Sequence, residues 1–256
     1  MLNKIIAIAQ EAGRILLDTS QVSVTAKDGV GNFVTDCDVC VQKLIYARLR
    51  ELCPGASFIG EEDARHDAVP TGACFVVDPI DGTQNFINGY RHSCVSIGLL
   101  QDGSPKLGVV YDPYQDDLFY AQRGKGAFGN GHPLRASEKP LSQSVVLFGT
   151  SSYDRALTDS TFRLLRAIFD QALDLRSSGS AALDICYVAS ARCNVFFEYH
   201  LEPWDYCAAA LILEEAGGRI TQIGGQPLDF LQGGSVLAAG PYSYGTVLEL
   251  AQNLSK

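Results

Sequence analysis

The chain has 256 residues, of which 46% are hydrophobic and 19% are charged, and its formal net charge is −9. These values are ordinary for a soluble protein with a substantial core, formed as one large domain or two closely packed halves. An acidic chain argues against a nucleic-acid surface, where Lys and Arg dominate, and no segment reaches the apolar length that crosses a membrane. A phosphorylated small molecule stays open as a ligand, because bound metal ions reverse the local sign of the field.

The first part of the chain is predicted to contain two helices separated by a loop. Apolar residues recur at helical spacing near the N-terminus and predict an amphipathic helix over residues 2–18. The apolar run at residues 5–9 is too short for a signal peptide, and Glu11 and Arg14 interrupt the apolar character beyond it. A loop over residues 19–35 and a helix over residues 36–51 are predicted next.

Apolar runs bounded by turn residues predict strands in both halves of the chain. In the first half they cover residues 74–77, 95–100, 107–111 and 118–121. The second half alternates strands, at 145–148 and 195–199, with helices at 159–172, 180–191 and 205–216. This order predicts an α/β (α+β) sandwich. We treat it as a single domain over residues 1–256, with halves of about 1–140 and 141–256.

Eight cysteines lie at positions 37, 40, 53, 74, 94, 186, 193 and 207. Most of them stand in apolar segments, which is typical of buried free thiols. Cys37 and Cys40 have the C-x-x-C spacing, but no second pair or nearby histidine completes a zinc set. A reduced, cytoplasmic protein is therefore predicted, and a metal or redox role for this pair is the disfavoured alternative.

One glycine-rich segment has the pattern of a dinucleotide-binding loop. Residues 124–129 read Gly-Lys-Gly-Ala-Phe-Gly, which fits G-x-G-x-x-G, and they come after a predicted strand. That pattern is meaningful only where a helix begins and where an acidic residue closes the second strand. The turn residues Asn130, Gly131 and Pro133 come next here instead. A hairpin is therefore predicted.

Carboxylates occur at three corners of the predicted structure. Asp78 and Asp81 come after the strand at 74–77, Glu61 and Glu62 after another apolar segment, and Asp205 precedes an apolar helix. Taken alone, Asp205 is better interpreted as a helix N-cap, and Asp81 can be interpreted as part of a turn. Taken together, such acids are costly to bury without counter-charge, and carboxylate oxygens are the ligands that Mg²⁺ takes. The combination predicts a magnesium site.

The segments that carry these acids resemble the motifs of the inositol monophosphatase family, which belongs to the magnesium-dependent, lithium-sensitive sugar-phosphate phosphatases. They read Ile-Gly-Glu-Glu at 59–62, Val-Asp-Pro-Ile-Asp-Gly-Thr-Gln-Asn-Phe at 77–86 and Trp-Asp at 204–205. The resemblance spans nearly the whole chain in order and spacing. It implies a five-layered alternating α-β-α-β-α sandwich of the inositol monophosphatase and fructose-1,6-bisphosphatase type, and it implies a homodimer.

The resemblance also implies two Mg²⁺ ions, with a third in some members. The groups around the first ion would be Glu61, Asp78, the carbonyl of Ile80 and Thr83, and those around the second would be Asp78, Asp81 and Asp205. Glu61 and Thr83 would orient the water that attacks phosphorus, and Asp81 would position a proton-donating water. The backbone amides of Gly82 and Thr83 would bind the phosphate oxygens.

A further set of residues is implied to contact the substrate. These are Asp81, Gly82, Thr83, Gly179, Ser180, Ala181, Glu198 and Asp205. Ser180 is also interpreted as an ordinary N-cap, and Glu198, which matches the family's hydroxyl-binding acid, as a solvated strand-end acid. Lys27 and Asp38 border a loop that resembles the family's mobile segment. Gln84 departs from the family pattern, since many members have a second threonine there.

The predicted activity is hydrolysis of inositol monophosphate, or of a related polyol phosphate, by metal-activated water. Alternatives on the same fold act on fructose 1,6-bisphosphate, histidinol phosphate or 3′-phosphoadenosine 5′-phosphate. A non-enzymatic regulatory role is a further alternative, and the intact ligand set disfavours it. The expected partners are a small-molecule phosphate monoester and a second copy of the chain, without nucleic acid or membrane.

Overall fold

The computed structural model describes residues 1–17, 23–26, 33–63 and 71–254. Within these ranges the helices are α1 (Leu2–Leu16), α2 (Asp36–Leu52), α3 (Thr83–Ile87), α4 (Thr158–Phe169), α5 (Ala181–Ala189), α6 (Pro203–Glu215) and α7 (Pro241–Leu254). The strands are β1 (Val24–Ala26), β2 (Phe33–Thr35), β3 (Ser57–Gly60), β4 (Ala73–Asp81), β5 (Cys94–Gln101), β6 (Ser104–Asp112), β7 (Asp117–Gln122), β8 (Ala127–Gly129), β9 (His132–Pro133), β10 (Val145–Phe148), β11 (Asp174–Arg176), β12 (Val195–Leu201), β13 (Arg219–Thr221) and β14 (Gly234–Ala239). Among the described residues, no helix combines the length and the apolarity needed to cross a bilayer.

The first two helices form where the apolar pattern predicts them. On α1 the buried side chains, which include Ile5, Ile8 and Ala12, share one face of the helix. The helix α2 begins at a capping box, in which the Asp38 N–H donates to the Thr35 hydroxyl and the Thr35 N–H donates to the Asp38 carboxylate. The helices predicted over residues 2–18 and 36–51 are thereby confirmed.

The loop predicted over residues 19–35 is wrong in part. The strands β1 and β2 lie inside it and pair antiparallel, with Val24 opposite Thr35. Each of these strands has three residues, which is too short for an alternating pattern to be read from the sequence. The local sequence does not predict this small sheet, which is defined by the pairing of its two strands.

Seven strands form one sheet in the order β3-β4-β5-β6-β7-β8-β9. The pair β3 and β4 is parallel, and all other neighbours are antiparallel. Both faces of β4 are covered, because its side chains alternate: Phe75 and Val77 pack with α1 and α2, and Cys74 and Val76 pack against α6. The pairing of β7 with β8 confirms the predicted hairpin and leaves no dinucleotide-binding loop at residues 124–129.

Five strands form a second sheet in the order β11-β10-β12-β14-β13. On β12, Phe196 faces α5 and α6, while Val195 and Phe197 face α4 and α7. The layer order is therefore α1 and α2, the seven-stranded sheet, α5 and α6, the five-stranded sheet, then α4 and α7. This order confirms the predicted α-β-α-β-α sandwich, and the chain passes from one sheet to the other between Pro133 and Val145.

The central helix α6 lies unusually close to the seven-stranded sheet. A Cβ atom at Gly98 of β5 would lie 2.7 Å from the Cys207 sulfur, and one at Gly108 of β6 would overlap the Ala208 carbonyl oxygen. At Gly108 the helix backbone occupies the space of a side chain, and at Gly98 a side chain would have to displace Cys207. This close packing fixes the first turn of α6, which carries Asp205, beside the end of β4.

Candidate metal centre and substrate cavity

The end of β4 carries two buried carboxylates into a tight turn. Asp78 and Asp81 belong to the strand, which is longer than the predicted 74–77, and its pairing with β5 is irregular between them. Gly82 then adopts a φ of 91° before α3 begins at Thr83. A side chain at Gly82 would be strained in this left-handed conformation. The turn therefore places Asp78, Asp81 and Thr83 at one corner of the molecule.

Three acids meet at this corner from two distant parts of the chain. Carboxylate oxygens of Asp78, Asp81 and Asp205 lie within 4.8 Å of one another. Asp205 stands at the third residue of α6, where its Oδ2 accepts a hydrogen bond from the Glu202 N–H at 2.8 Å. It therefore belongs to a capping box, and the interpretation of Asp205 as the N-cap itself is wrong, because the helix begins two residues earlier at Pro203.

A second group of acids lies beside the first. Oxygens of Asp38, Glu61 and Glu62 lie within 4.8 Å of one another. The Thr83 hydroxyl lies beside this second group, 3.4 Å from Asp38 Oδ1, and it donates to the Ile80 carbonyl at 3.0 Å. Glu62 was recognised from the sequence as an acid but received no ligand role, and the structure places it with Glu61.

Electrostatics at these groups favours a bound cation. Burial first, and then repulsion from neighbouring carboxylates, raises the pKa of Asp78 and of Asp205 well above the ordinary value. Burial also raises the pKa of Asp81, although hydrogen bonds from Ser180 and Ala182 oppose this. Among the described residues that line the adjoining cavity, none is Lys, Arg or His. The donor set fits hard divalent cations, which would supply the missing counter-charge.

Asp81 also joins the two halves of the fold. Its Oδ2 accepts hydrogen bonds from the Ser180 hydroxyl and, at 2.9 Å, from the Ala182 N–H at the start of α5. Ser180 occupies the N-cap position, but its side chain makes no cap hydrogen bond. The prediction of Ser180 as the N-cap residue is confirmed by its position, but its hydroxyl is directed to the carboxylate of the opposite half and makes no cap hydrogen bond.

A cavity of about 410 Å³ opens from the acids toward α5 and the five-stranded sheet. Glu198 of β12 lines it, and its carboxylate accepts hydrogen bonds from the Ser151 N–H at 2.7 Å and the Ser151 hydroxyl at 3.2 Å. Burial raises the pKa of Glu198 to about 7, and the Ser151 bonds act in the opposite direction. The alternative of a solvated strand-end acid is wrong, since Glu198 is buried.

The loop before α5 forms another wall of this cavity and is held by two polar contacts. The Asn85 side-chain amide donates to the carbonyls of His92 and Ser178, both at 2.8 Å. The Ser178 hydroxyl donates to the buried Asp184 at 2.5 Å. Asn85 therefore ties α3 to the loop that carries Gly179, which was predicted to face the substrate.

The structure brings together most of the residues predicted for the site. The cavity is lined by Glu61, Asp81, Gly82, Thr83, Gly179, Ser180, Ala181, Glu198 and Asp205. Asp78 and Ile80 are buried behind them, and Asp38 is buried beside Glu61. Lys27 lies outside the described residues. Sequence reasoning assigned no role to Asn85, Ser151 or Asp184, and the only signal was the position of Asn85 inside the 77–86 motif.

The layer order and the acid cluster define a class of protein, the metal-dependent phosphatases built as five-layered sandwiches. The sequence profile of the inositol monophosphatase family matches residues 1–256, and the chain belongs to this family. Nus factor SuhB of Vibrio cholerae is 34% identical over 253 residues, covering 97% of this chain and 94% of that protein. Inositol-1-monophosphatase of Bacillus subtilis is 33% identical over 247 residues, covering 94% and 92%. The crystal structure of extragenic suppressor protein suhB from Bartonella henselae superposes with a TM-score of 0.90 at 31% identity, covering 99% and 98%.

Proposed function

We propose that the protein is a magnesium-dependent phosphomonoesterase that hydrolyses inositol monophosphate or a related polyol phosphate. One observation carries this proposal: two groups of carboxylates meet at the end of β4, beside a cavity of about 410 Å³ lined with hydroxyl groups. The Bacillus subtilis relative that is named an inositol-1-monophosphatase supports the same substrate class.

Mg²⁺ is the proposed cofactor, and the carboxylates of the site are its proposed ligands. Asp78, Asp81 and Asp205 would hold one ion. Asp78 would also hold the other ion, together with Glu61, the Ile80 carbonyl and Thr83. A third ion would bind to the group formed by Asp38, Glu61 and Glu62. Bound magnesium supplies positive charge that lowers the pKa of a coordinated water and stabilises the oxygens of the phosphate ester.

The chain's own groups orient the reactants. The Thr83 hydroxyl donates to the Ile80 carbonyl, so its oxygen can accept a hydrogen bond from the attacking water. Glu61 accepts a hydrogen bond from the second O–H group of that water and so orients it. Attack on phosphorus breaks the bond to the ester oxygen, which leaves as an alcohol after it takes a proton from a water positioned by Asp81. The proton released by the attacking water returns to the hydroxide that this step leaves. The N–H groups of Gly82 and Thr83 bind the phosphate oxygens during this step.

The cavity lining favours a substrate with a single phosphate. A second phosphate group, as in fructose 1,6-bisphosphate or 3′-phosphoadenosine 5′-phosphate, would find no Lys or Arg among the described lining residues. Glu198 and the hydroxyls of Ser151 and Ser178 are instead suited to the hydroxyl groups of a polyol. Histidinol phosphate has one phosphate and an ammonium group, so it remains the main competitor.

Phosphate release from a substrate panel tests the proposal. The panel contains inositol 1-phosphate, histidinol phosphate, fructose 1,6-bisphosphate and 3′-phosphoadenosine 5′-phosphate, each with Mg²⁺ and with a chelator. We expect magnesium-dependent turnover that is highest for inositol 1-phosphate. A strong preference for either bisphosphate would overturn the proposed substrate. No turnover of any compound would overturn the proposed phosphatase activity.

A regulatory role is the second candidate, since the Vibrio cholerae relative is named a Nus factor. The net charge of −9 favours a protein partner over nucleic acid for such a role. The family resemblance also predicts a homodimer, and the free cysteines predict a cytoplasmic location. Light scattering after size-exclusion chromatography tests the dimer, which would have twice the chain mass of 27.6 kDa.

A further inference from the structure

The turn at residues 60–63, which carries Glu61 and Glu62 to the metal centre, is held by buried polar groups of α2. The Glu62 N–H donates to Gln42 Oε1 at 3.2 Å, and Gln42 Nε2 donates to Asp63 Oδ1 at 3.2 Å. The Tyr46 hydroxyl donates to the other oxygen of Asp63. Both ends of the Gln42 amide and the Tyr46 hydroxyl are therefore used to hold this one turn.

The turn and α2 are in close contact at Gly60. A Cβ atom at Gly60 would lie 2.7 Å from Gln42 Oε1 and would overlap the Tyr46 hydroxyl. Gln42 and Tyr46 are themselves buried. The Tyr46 ring is fixed by the Phe58 ring at 4.5 Å, and the Arg50 guanidinium lies 5.5 Å from its centre. The hydroxyl therefore has a defined position from which to hold Asp63.

The same face of α2 also supplies a member of the acid group. Asp38, Gln42 and Tyr46 are spaced four residues apart, so they lie along one side of the helix. Asp38 meets Glu61 and Glu62 within 4.8 Å. One rigid helix thus presents one carboxylate directly and sets the position of the other two through hydrogen bonds to their turn.

We propose that Gln42 and Tyr46 are positioning residues that set the Mg²⁺ affinity of the corner formed by Asp38, Glu61 and Glu62. Groups that orient metal ligands without touching the metal change affinity or activity by about 10- to 100-fold when they are removed. This inference rests on the proposed magnesium-dependent function, but cation binding alone can test it.

The test uses Tyr46→Phe, which removes the hydroxyl and keeps the ring, and Gln42→Met, which keeps the side-chain length. Mg²⁺ binding to the whole chain is followed by calorimetry without substrate, and turnover is followed against Mg²⁺ concentration. We expect each variant to need about tenfold more Mg²⁺ in both measurements. At saturating Mg²⁺, we expect kcat to return to within about twofold of the unsubstituted protein, because no group that touches the substrate is lost.

Tyr244→Phe is the matched control. Tyr244 is as buried as Tyr46, at 6% against 7% exposed, and its hydroxyl pairs with Thr221 at 2.8 Å in the layer farthest from the turn. Unchanged Mg²⁺ affinity in Tyr46→Phe would overturn the inference, as would equal weakening in Tyr244→Phe. If the Gln42→Met variant does not fold, the Mg²⁺ affinity of the Tyr46→Phe variant alone tests the inference. If no substrate is hydrolysed, calorimetry still decides, so failure of this inference and failure of the proposed phosphatase are distinguishable.

Discussion

The Ser180 hydroxyl donates a hydrogen bond to the carboxylate of Asp81, although the two residues are 99 positions apart in the chain. The Ala182 N–H donates to the same oxygen at 2.9 Å. Asp81 therefore stands at the first turn of α5 while its carboxylate group faces Asp78 and Asp205. One side chain links the end of β4, the start of α5 and the candidate metal centre.

The substitution Asp81→Asn separates the proposed metal-binding role of this residue from its structural role. The asparagine oxygen can still accept from Ser180 and Ala182, so we expect the fold to be kept. The negative charge that is proposed to hold a cation is lost, and we expect phosphate release to fall by more than about 100-fold, beyond the range for groups outside a metal's ligand set.

Phosphate release with Mg²⁺, together with circular dichroism, checks this variant. Activity within tenfold of the unsubstituted protein would contradict a metal-binding role for Asp81. The same variant tests the regulatory candidate, because a binding function without chemistry would leave partner binding unchanged while turnover is lost.

The metal-free protein should become less stable as the pH rises. Burial and mutual repulsion raise the pKa of Asp78 and Asp205, and burial raises that of Glu198 to about 7. The folded state thus binds more protons than the unfolded chain, whose carboxyl pKa is about 4. The free energy of unfolding therefore falls between about pH 4 and 7.

Thermal unfolding in a chelator at several pH values measures this effect. We expect Tm to fall by several degrees between about pH 4 and 7, since 1 kcal/mol corresponds to about 2–4 °C in a chain of this size. Adding Mg²⁺ should raise Tm more at the higher pH, where the carboxylates are ionised. A metal-free Tm that rises over this range would contradict the raised pKa values.

Gly108→Ala should displace α6 from the sheet. The added methyl group would overlap the Ala208 carbonyl oxygen, and overpacking of this kind costs about 1–3 kcal/mol. Because Asp205 lies on the first turn of α6, Mg²⁺ affinity should fall as well. Urea unfolding and calorimetry measure the two effects.

Gly245→Ala is the comparison for this substitution. Gly245 lies in α7 with no atom within 4 Å of the added methyl group, so alanine should stabilise the helix by about 0.5–1 kcal/mol. If the two substitutions changed the free energy of unfolding equally, the close approach of α6 to the sheet would make no contribution to stability.

Glu198→Gln should weaken the recognition of polyol substrates. A hydrogen bond to a charged group contributes about 1.5–3 kcal/mol, so we expect kcat/KM for inositol 1-phosphate to fall about 10- to 100-fold. The glutamine oxygen can still accept from the Ser151 N–H, which preserves the cavity wall. Turnover of 4-nitrophenyl phosphate, which has no polyol hydroxyls, should stay within about threefold. A parallel loss on both compounds would instead indicate damage to the metal centre.

Lithium should inhibit the enzyme. Asp78, Asp81 and Asp205 form a compact site of three carboxylates, and a small monovalent cation would compete there with Mg²⁺ without supplying its full charge. Initial rates of phosphate release at fixed Mg²⁺ and increasing LiCl, with NaCl as the ionic-strength control, test this. Equal effects of the two salts would count against the geometry of this site.

Local sequence was sufficient for part of the site. Asp78, Asp81 and Thr83 stand within one short segment after an apolar strand, so their proximity is a consequence of the strand and its glycine turn. Asn85 belongs to the same segment, but its two carbonyl partners include Ser178 of the other half. The sequence did not indicate this role of Asn85, because Ser178 is distant from it in the chain.

The sequence by itself determined the acids of the candidate metal centre, the helices whose apolar residues repeat at helical spacing, and the membership of the family. The tertiary structure alone decided that Asp81 caps α5, that Glu198 is buried beside Ser151, and that Gln42 and Tyr46 hold the turn of Glu61. The physical reason is that periodicity and turns are local, whereas burial and hydrogen-bond partners depend on which layers of the sandwich pack together.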